Sequence, residues 1–86
     1  MPTISAFYGM IIRMYHRDHA PPHFHVYYQG NEAKIDIEKL ELMTGRLPRR
    51  DLGLVLDWAE LHQSELRHNW TLAQQRSPIS AISPLE

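Results

Sequence analysis

The chain has 86 residues, 43% hydrophobic and 22% charged, with no cysteine and a formal net charge of −1. That length suits one domain with a single modest core, and the composition is globular rather than disordered. Disulfides, thiolate nucleophiles and cysteine-based zinc sites are excluded, and so is an overall basic footprint for nucleic acid. No apolar run approaches the roughly 18 residues that span a bilayer, and the opening Met-Pro-Thr-Ile-Ser is not a signal peptide. A cytoplasmic protein is expected.

Residues 7–15, rich in aromatic and β-branched side chains, predict a first strand. Met10, Ile12 and Met14 would face the core, with Ile11, Arg13 and Tyr15 on the other side. After Pro21-Pro22, residues 24–29 predict a second strand on which His23, His25 and Tyr27 alternate with Phe24, Val26 and Tyr28. Gly30-Asn31 reads as a two-residue type II′ loop. It leads to a third strand at 32–38, with Ala33, Ile35 and Ile37 inward and Lys34, Asp36 and Glu38 outward. That loop pairs Val26 with Ile35, His25 with Asp36 and His23 with Glu38. Residues 40–43 add a short extended piece before Thr44-Gly45.

Pro48 suits a first helical turn and Asp51 its positive end, so a helix is predicted from 48 to about 62. Its apolar arc, Leu52, Val55, Leu56 and Ala59 beside Leu54, Trp58 and Leu61, is wider than one sheet face requires. Packing on a second helix accounts for the width; a homodimer or partner surface is the alternative. Ser64 reads as the N-cap of that second helix, about 65–75. The tail, 76–86, holds two prolines and is expected to lie extended through Ile79, Ile82 and Leu85. Residues 1–86 thus predict a single α+β domain. Its sheet, about 7–43, has three or four mostly antiparallel strands packed against two C-terminal helices within 48–75.

Four of the six histidines, at 16, 19, 23 and 25, cluster ahead of and on the second strand. A carboxylate beside an imidazole fixes its tautomer, so His23, His25 and Asp36 are the candidate acid–base set. Arg46, Arg49 and Arg50 at a helix start, with Arg13 and Tyr27 on the sheet face, are the candidate phosphate contacts. Together these groups suit metal-independent RNA cleavage, which needs a base, an acid and cations. In the alternative, His16, His19, His23 and His25 bind zinc; no other cofactor is expected. Cross-strand His–Asp and Tyr–Lys pairs also occur simply as stabilising contacts.

The run Asp18-His19-Ala20-Pro21-Pro22-His23-Phe24-His25-Val26 resembles a small bacterial family, Domain of Unknown Function 4160. The likeness extends to the opening Met-Pro-Thr-Ile, Gly45-Arg46-Leu47-Pro48, the Trp58 helix and Asn69-Trp70. Such genes often sit beside another small gene, so the resemblance implies a toxin–antitoxin-like module with a small cognate partner protein. The expected function is that of its effector, acting on RNA through the His/Arg/Tyr face. A non-catalytic protein-binding or metal-binding module is the alternative.

Overall fold

A computed structural model describes residues 3–86. Its element order is β1 (Thr3–Phe7), β2 (Met10–Arg13), β3 (His23–Tyr28), β4 (Asn31–Asp36), β5 (Glu41–Gly45), α1 (Arg49–Leu61) and α2 (Gln63–Gln74). The strands form one antiparallel sheet in the order β1-β2-β3-β4-β5. The sheet therefore has five strands, which corrects the expectation of three or four. The segment read as one strand over 7–15 contains a turn at Tyr8-Gly9, with φ of 49° and 80°. Two positive φ values in succession make a type I′ turn, whose twist matches that of the strands it joins. β1 escapes an alternation search because its register shifts between Thr3 and Ser5, which leaves Ile4 and Ser5 both buried.

The hairpin between β3 and β4 is also corrected. Its loop is Gln29-Gly30, with φ of 46° and 80°, so Tyr28 pairs with Asn31. The expected register is off by two residues. An even slip keeps every side chain on its predicted face but changes its neighbour. His25 lies opposite Lys34 rather than Asp36, and His23 lies opposite Asp36 rather than Glu38. Asp36 instead organises the turn into β5: its Oδ1 accepts the backbone N–H groups of Glu38 and Lys39, both at 2.8 Å.

One sheet face carries Met10, Ile12, Phe24, Val26, Ile35 and Ile37, all fully buried against Val55, Trp58 and Ala59 of α1 and Leu66 and Ala73 of α2. The two helices meet at His62 with no intervening loop, so α2 begins before the predicted Ser64 cap. Gln63 ties that joint to the sheet by donating to the Ile37 carbonyl at 2.8 Å. The tail, 77–86, forms neither helix nor strand and is tied to the body. Ile82 N–H donates to the Ile4 carbonyl at 2.8 Å, and Trp58 Nε1 donates to the Ser83 carbonyl at 2.8 Å. No helix among the described residues is long and apolar enough to cross a membrane.

Candidate functional site

The opposite face of the sheet is polar. Strand pairing sets Arg13 of β2, His25 of β3 and Lys34 of β4 in one row, with Ile11, Tyr27 and Glu32 in the next. The segment between β2 and β3 brings Asp18 to the His23 and His25 rings and is anchored at three points. Arg17 N–H donates to the Ala73 carbonyl at 3.1 Å, Gln74 Nε2 to the Asp18 carbonyl at 3.2 Å, and Ile37 N–H to the Pro22 carbonyl at 3.0 Å. The end of α2 thereby holds Asp18 over the histidines.

Asp18 Oδ2 lies 3.0 Å from His23 Nε2 and 2.9 Å from His25 Nε2. Both rings are buried, 3% and 6% exposed, so water does not dilute these contacts. Each ring is also held from behind. His23 Nδ1 donates to the Pro21 carbonyl at 2.8 Å, and His25 Nδ1 donates to Glu32 Oε2 at 2.8 Å. A carbonyl only accepts and an ionised carboxylate only accepts, so both Nδ1 atoms carry hydrogen. Every ring nitrogen of the pair therefore has a protein partner.

The surrounding groups tune the charges. Burial works to raise the Asp18 carboxyl, but the hydrogen bonds from His25 and the His19 N–H and the charges of His23 and His25 hold it below the usual range. The Glu32 carboxyl is lowered first by its hydrogen bond with His25, against burial, with help from Tyr27 and Lys34. Tyr15 packs edge-on against His25 with ring centroids 4.5 Å apart, and its hydroxyl hydrogen-bonds that of Tyr27. That bond, then burial and Glu32, pushes the Tyr27 phenol far above its ordinary value. The Arg13 guanidinium lies 4.9 Å from the Tyr27 ring centroid, and its buried Nε has no hydrogen-bond partner among the described residues.

Residues 9–71 match the family described as Domain of unknown function (DUF4160). The chain belongs to that family. No curated protein and no solved structure matches it. The matched span of this DUF4160 chain contains Arg13, Asp18, His23, His25, Tyr27 and Glu32 and leaves out β1 and the tail.

Within the DUF4160 chain, the sequence-predicted residues fall into two groups. His23, His25, Arg13 and Tyr27 come together on the polar face. Asp36 is withdrawn into its turn and does not orient His25; Glu32 and Asp18 hold that ring instead. Arg46, Arg49 and Arg50 are exposed where β5 gives way to α1, and none bonds to the histidine cluster among the described residues. His16 and His19 are exposed and stay out of the cluster, although the His19 backbone N–H donates to Asp18 Oδ1 at 2.8 Å. Asp18 and Glu32 are the residues the sequence reading missed. Asp18 lies inside the histidine-rich run itself, five residues before His23 and seven before His25. Glu32 becomes visible once Gln29-Gly30 is read as the hairpin loop, which sets it opposite Tyr27 and diagonal to His25.

Proposed function

We propose that this chain is the effector of a toxin–antitoxin-like two-gene module and acts on RNA, with Asp18, His23 and His25 as its working centre. The observation that supports this reading is the convergence of two buried imidazoles on one carboxylate oxygen. Burying such a polar cluster costs desolvation that a plain sheet face avoids, and perturbed clusters of this kind concentrate at functional sites. Arg13, paired with His25 across the strands, supplies a cation for a phosphate oxygen in this reading.

RNA cleavage moves a proton from a 2′-hydroxyl as its oxygen attacks phosphorus, and delivers one to the departing 5′-oxygen. The Nε2 atoms of His23 and His25 are the groups for these transfers once Asp18 releases them, while Glu32 keeps the His25 ring in place. Arg13 carries the phosphate contact in this scheme; Arg46, Arg49 and Arg50, exposed and unbonded to the cluster among the described residues, take no part in it. The test is RNA turnover, or growth arrest on expression, by the wild-type chain and its His23→Ala, His25→Ala and Arg13→Met variants. One imidazole is worth about 10²–10⁴-fold in acid–base catalysis, so losses of that size are expected in folded histidine variants. Full activity in both, or a folded wild type that leaves RNA intact, overturns the reading.

A second reading, a non-catalytic protein-binding module, is favoured by β5. This edge strand pairs only with β4, and four of its five residues are exposed. A cognate partner adding a strand there would use main-chain hydrogen bonds. A proline at Thr44 would then abolish partner binding, whereas histidine changes would not.

A further inference from the structure

We infer that Asp18, His23 and His25 form the binding site for one divalent transition-metal ion of the zinc class. The inference deepens the proposed function by naming a cofactor for the same centre, and it rests on that reading only for the ion's use.

Both Nδ1 atoms donate backward, to the Pro21 carbonyl and to Glu32. A neutral ring with hydrogen on Nδ1 presents a bare lone pair at Nε2. Both lone pairs then face a carboxylate oxygen at 2.9–3.0 Å, three electron-rich atoms turned toward one another. Satisfying them with protons requires a second proton on each ring, which places two positive rings with centroids 5.1 Å apart. A single cation satisfies all three atoms at once.

The geometry agrees. The three donor atoms lie within 4.8 Å of one another, with both histidines buried and Asp18 half-buried. Tetrahedral ligands at roughly 2.1 Å from zinc stand about 3.4 Å apart, so the Asp18 oxygen needs to draw back from each imidazole by only about 0.5 Å. The groups behind the ligands are those a metal site uses. A histidine that binds metal through Nε2 donates its Nδ1–H to a carbonyl or carboxylate, and here one ring does each. Two imidazoles and a carboxylate, without thiolate, suit zinc and its neighbours in the first transition row. Three protein ligands leave a fourth position for water.

This assignment changes the roles within the centre. With an ion bound, His23 and His25 would hold it instead of carrying protons, and water on the ion would serve as the base in their place.

The experiment is calorimetric titration of the metal-stripped full chain with zinc chloride, together with NMR of the histidine ring nitrogens. One ion per chain is expected, with the shifts confined to His23 and His25. Asp18→Asn, His23→Gln and His25→Gln should each weaken binding by more than about 100-fold, and Glu32→Gln, one step removed, by about 10–100-fold. A His16→Gln, His19→Gln double variant should bind like wild type. Circular dichroism checks the fold of each, and Glu32→Gln together with the double variant decides the matter if the ligand variants do not fold. Absence of stoichiometric binding, or loss of binding in the double variant alone, overturns the site. Zinc binding without RNA turnover leaves the site standing and removes the proposed function. RNA turnover that survives metal stripping leaves the proposed function standing and removes the ion's part in it.

Discussion

Gly45 and Gly30 share a left-handed backbone, with φ of 84° and 80°, yet they constrain the chain differently. A Cβ at Gly30 meets nothing within 4 Å, while one at Gly45 would come 2.0 Å from the Glu32 carbonyl oxygen and 2.8 Å from Ala33 Cα. Alanine at 30 should therefore cost only the strain of the conformation, about 1–2 kcal/mol. At 45 the backbone of β4 must also move, adding about 1–3 kcal/mol and displacing Glu32, which holds His25. Urea unfolding of Gly30→Ala and Gly45→Ala should separate the two, and equal losses would contradict the close approach. Glu38 is a residue of another kind. Its carboxylate receives Arg67 Nε at 2.9 and 3.1 Å and Nη2 at 2.8 Å, a fork that joins the exit of β4 to α2. The Arg67 hydrogen bond lowers its pKa below the ordinary 4.5, so its contribution is present above that value and is lost as pH falls through the lowered one. The gap in urea midpoint between wild type and Glu38→Gln should close in acid and persist at neutral pH.

At the scale of elements, α2 serves two edges of the molecule. Its C-terminal end receives Arg17 and holds Asp18, while Asn69 on its buried side clasps the tail. Asn69 Nδ2 donates to the Ser80 carbonyl at 2.8 Å, and the Ser80 N–H donates to Asn69 Oδ1 at 3.0 Å. Asn69 is 1% exposed, so truncating it leaves both backbone groups without partners. Asn69→Ala should cost about 1–3 kcal/mol, read by urea unfolding, and should speed hydrogen exchange at Ser80 and Ile82. Exchange that speeds only near Asp18 would mean that the tail is held by other contacts. The β3–β4 hairpin shows how an element passes its register to the site. Moving the loop back by one position, from Gly30-Asn31 to Gln29-Gly30, exchanges the residue opposite His25 from a carboxylate to a lysine.

Across the whole molecule, Trp58 joins three layers. Its ring lies 5.2 Å from Phe7 and 5.7 Å from Phe24 on the sheet, and its Nε1 reaches the tail at Ser83. The tail in turn closes the core with Ile82 and hydrogen-bonds β1. The Cα radius of gyration is 11.6 Å, close to the roughly 12 Å of a fully folded chain of this length, so the tail is part of the body. Deleting residues 78–86 should expose Ile82's site and orphan Trp58 Nε1 and Asn69. The combined loss of about 3–5 kcal/mol is a large share of the 5–15 kcal/mol typical of a domain. A thermal melt unchanged by the deletion would show that the tail is not part of the cooperative unit.

Local periodicity, read from the residues alone, determined which face each side chain of β2, β3 and β4 takes, the two helices, and the gathering of Arg13, His23, His25 and Tyr27 on one face. Alternation and helical spacing are properties of neighbours in the chain, so they survive an error of two residues in register. The count of strands depended on Tyr8, and the register of the β3–β4 hairpin on Gln29, adopting positive φ, which their residue types do not announce. The chemistry of the site depended on more distant relations. Asp18 reaches both imidazoles only because the end of α2 pins its loop across the sheet. Glu32 replaces Asp36 behind His25 because the hairpin turns one residue earlier. Arg46, Arg49 and Arg50 stand apart because the passage from β5 into α1 leaves them on the surface. These are distances between segments far apart in the chain, and only the packing of the whole decides them.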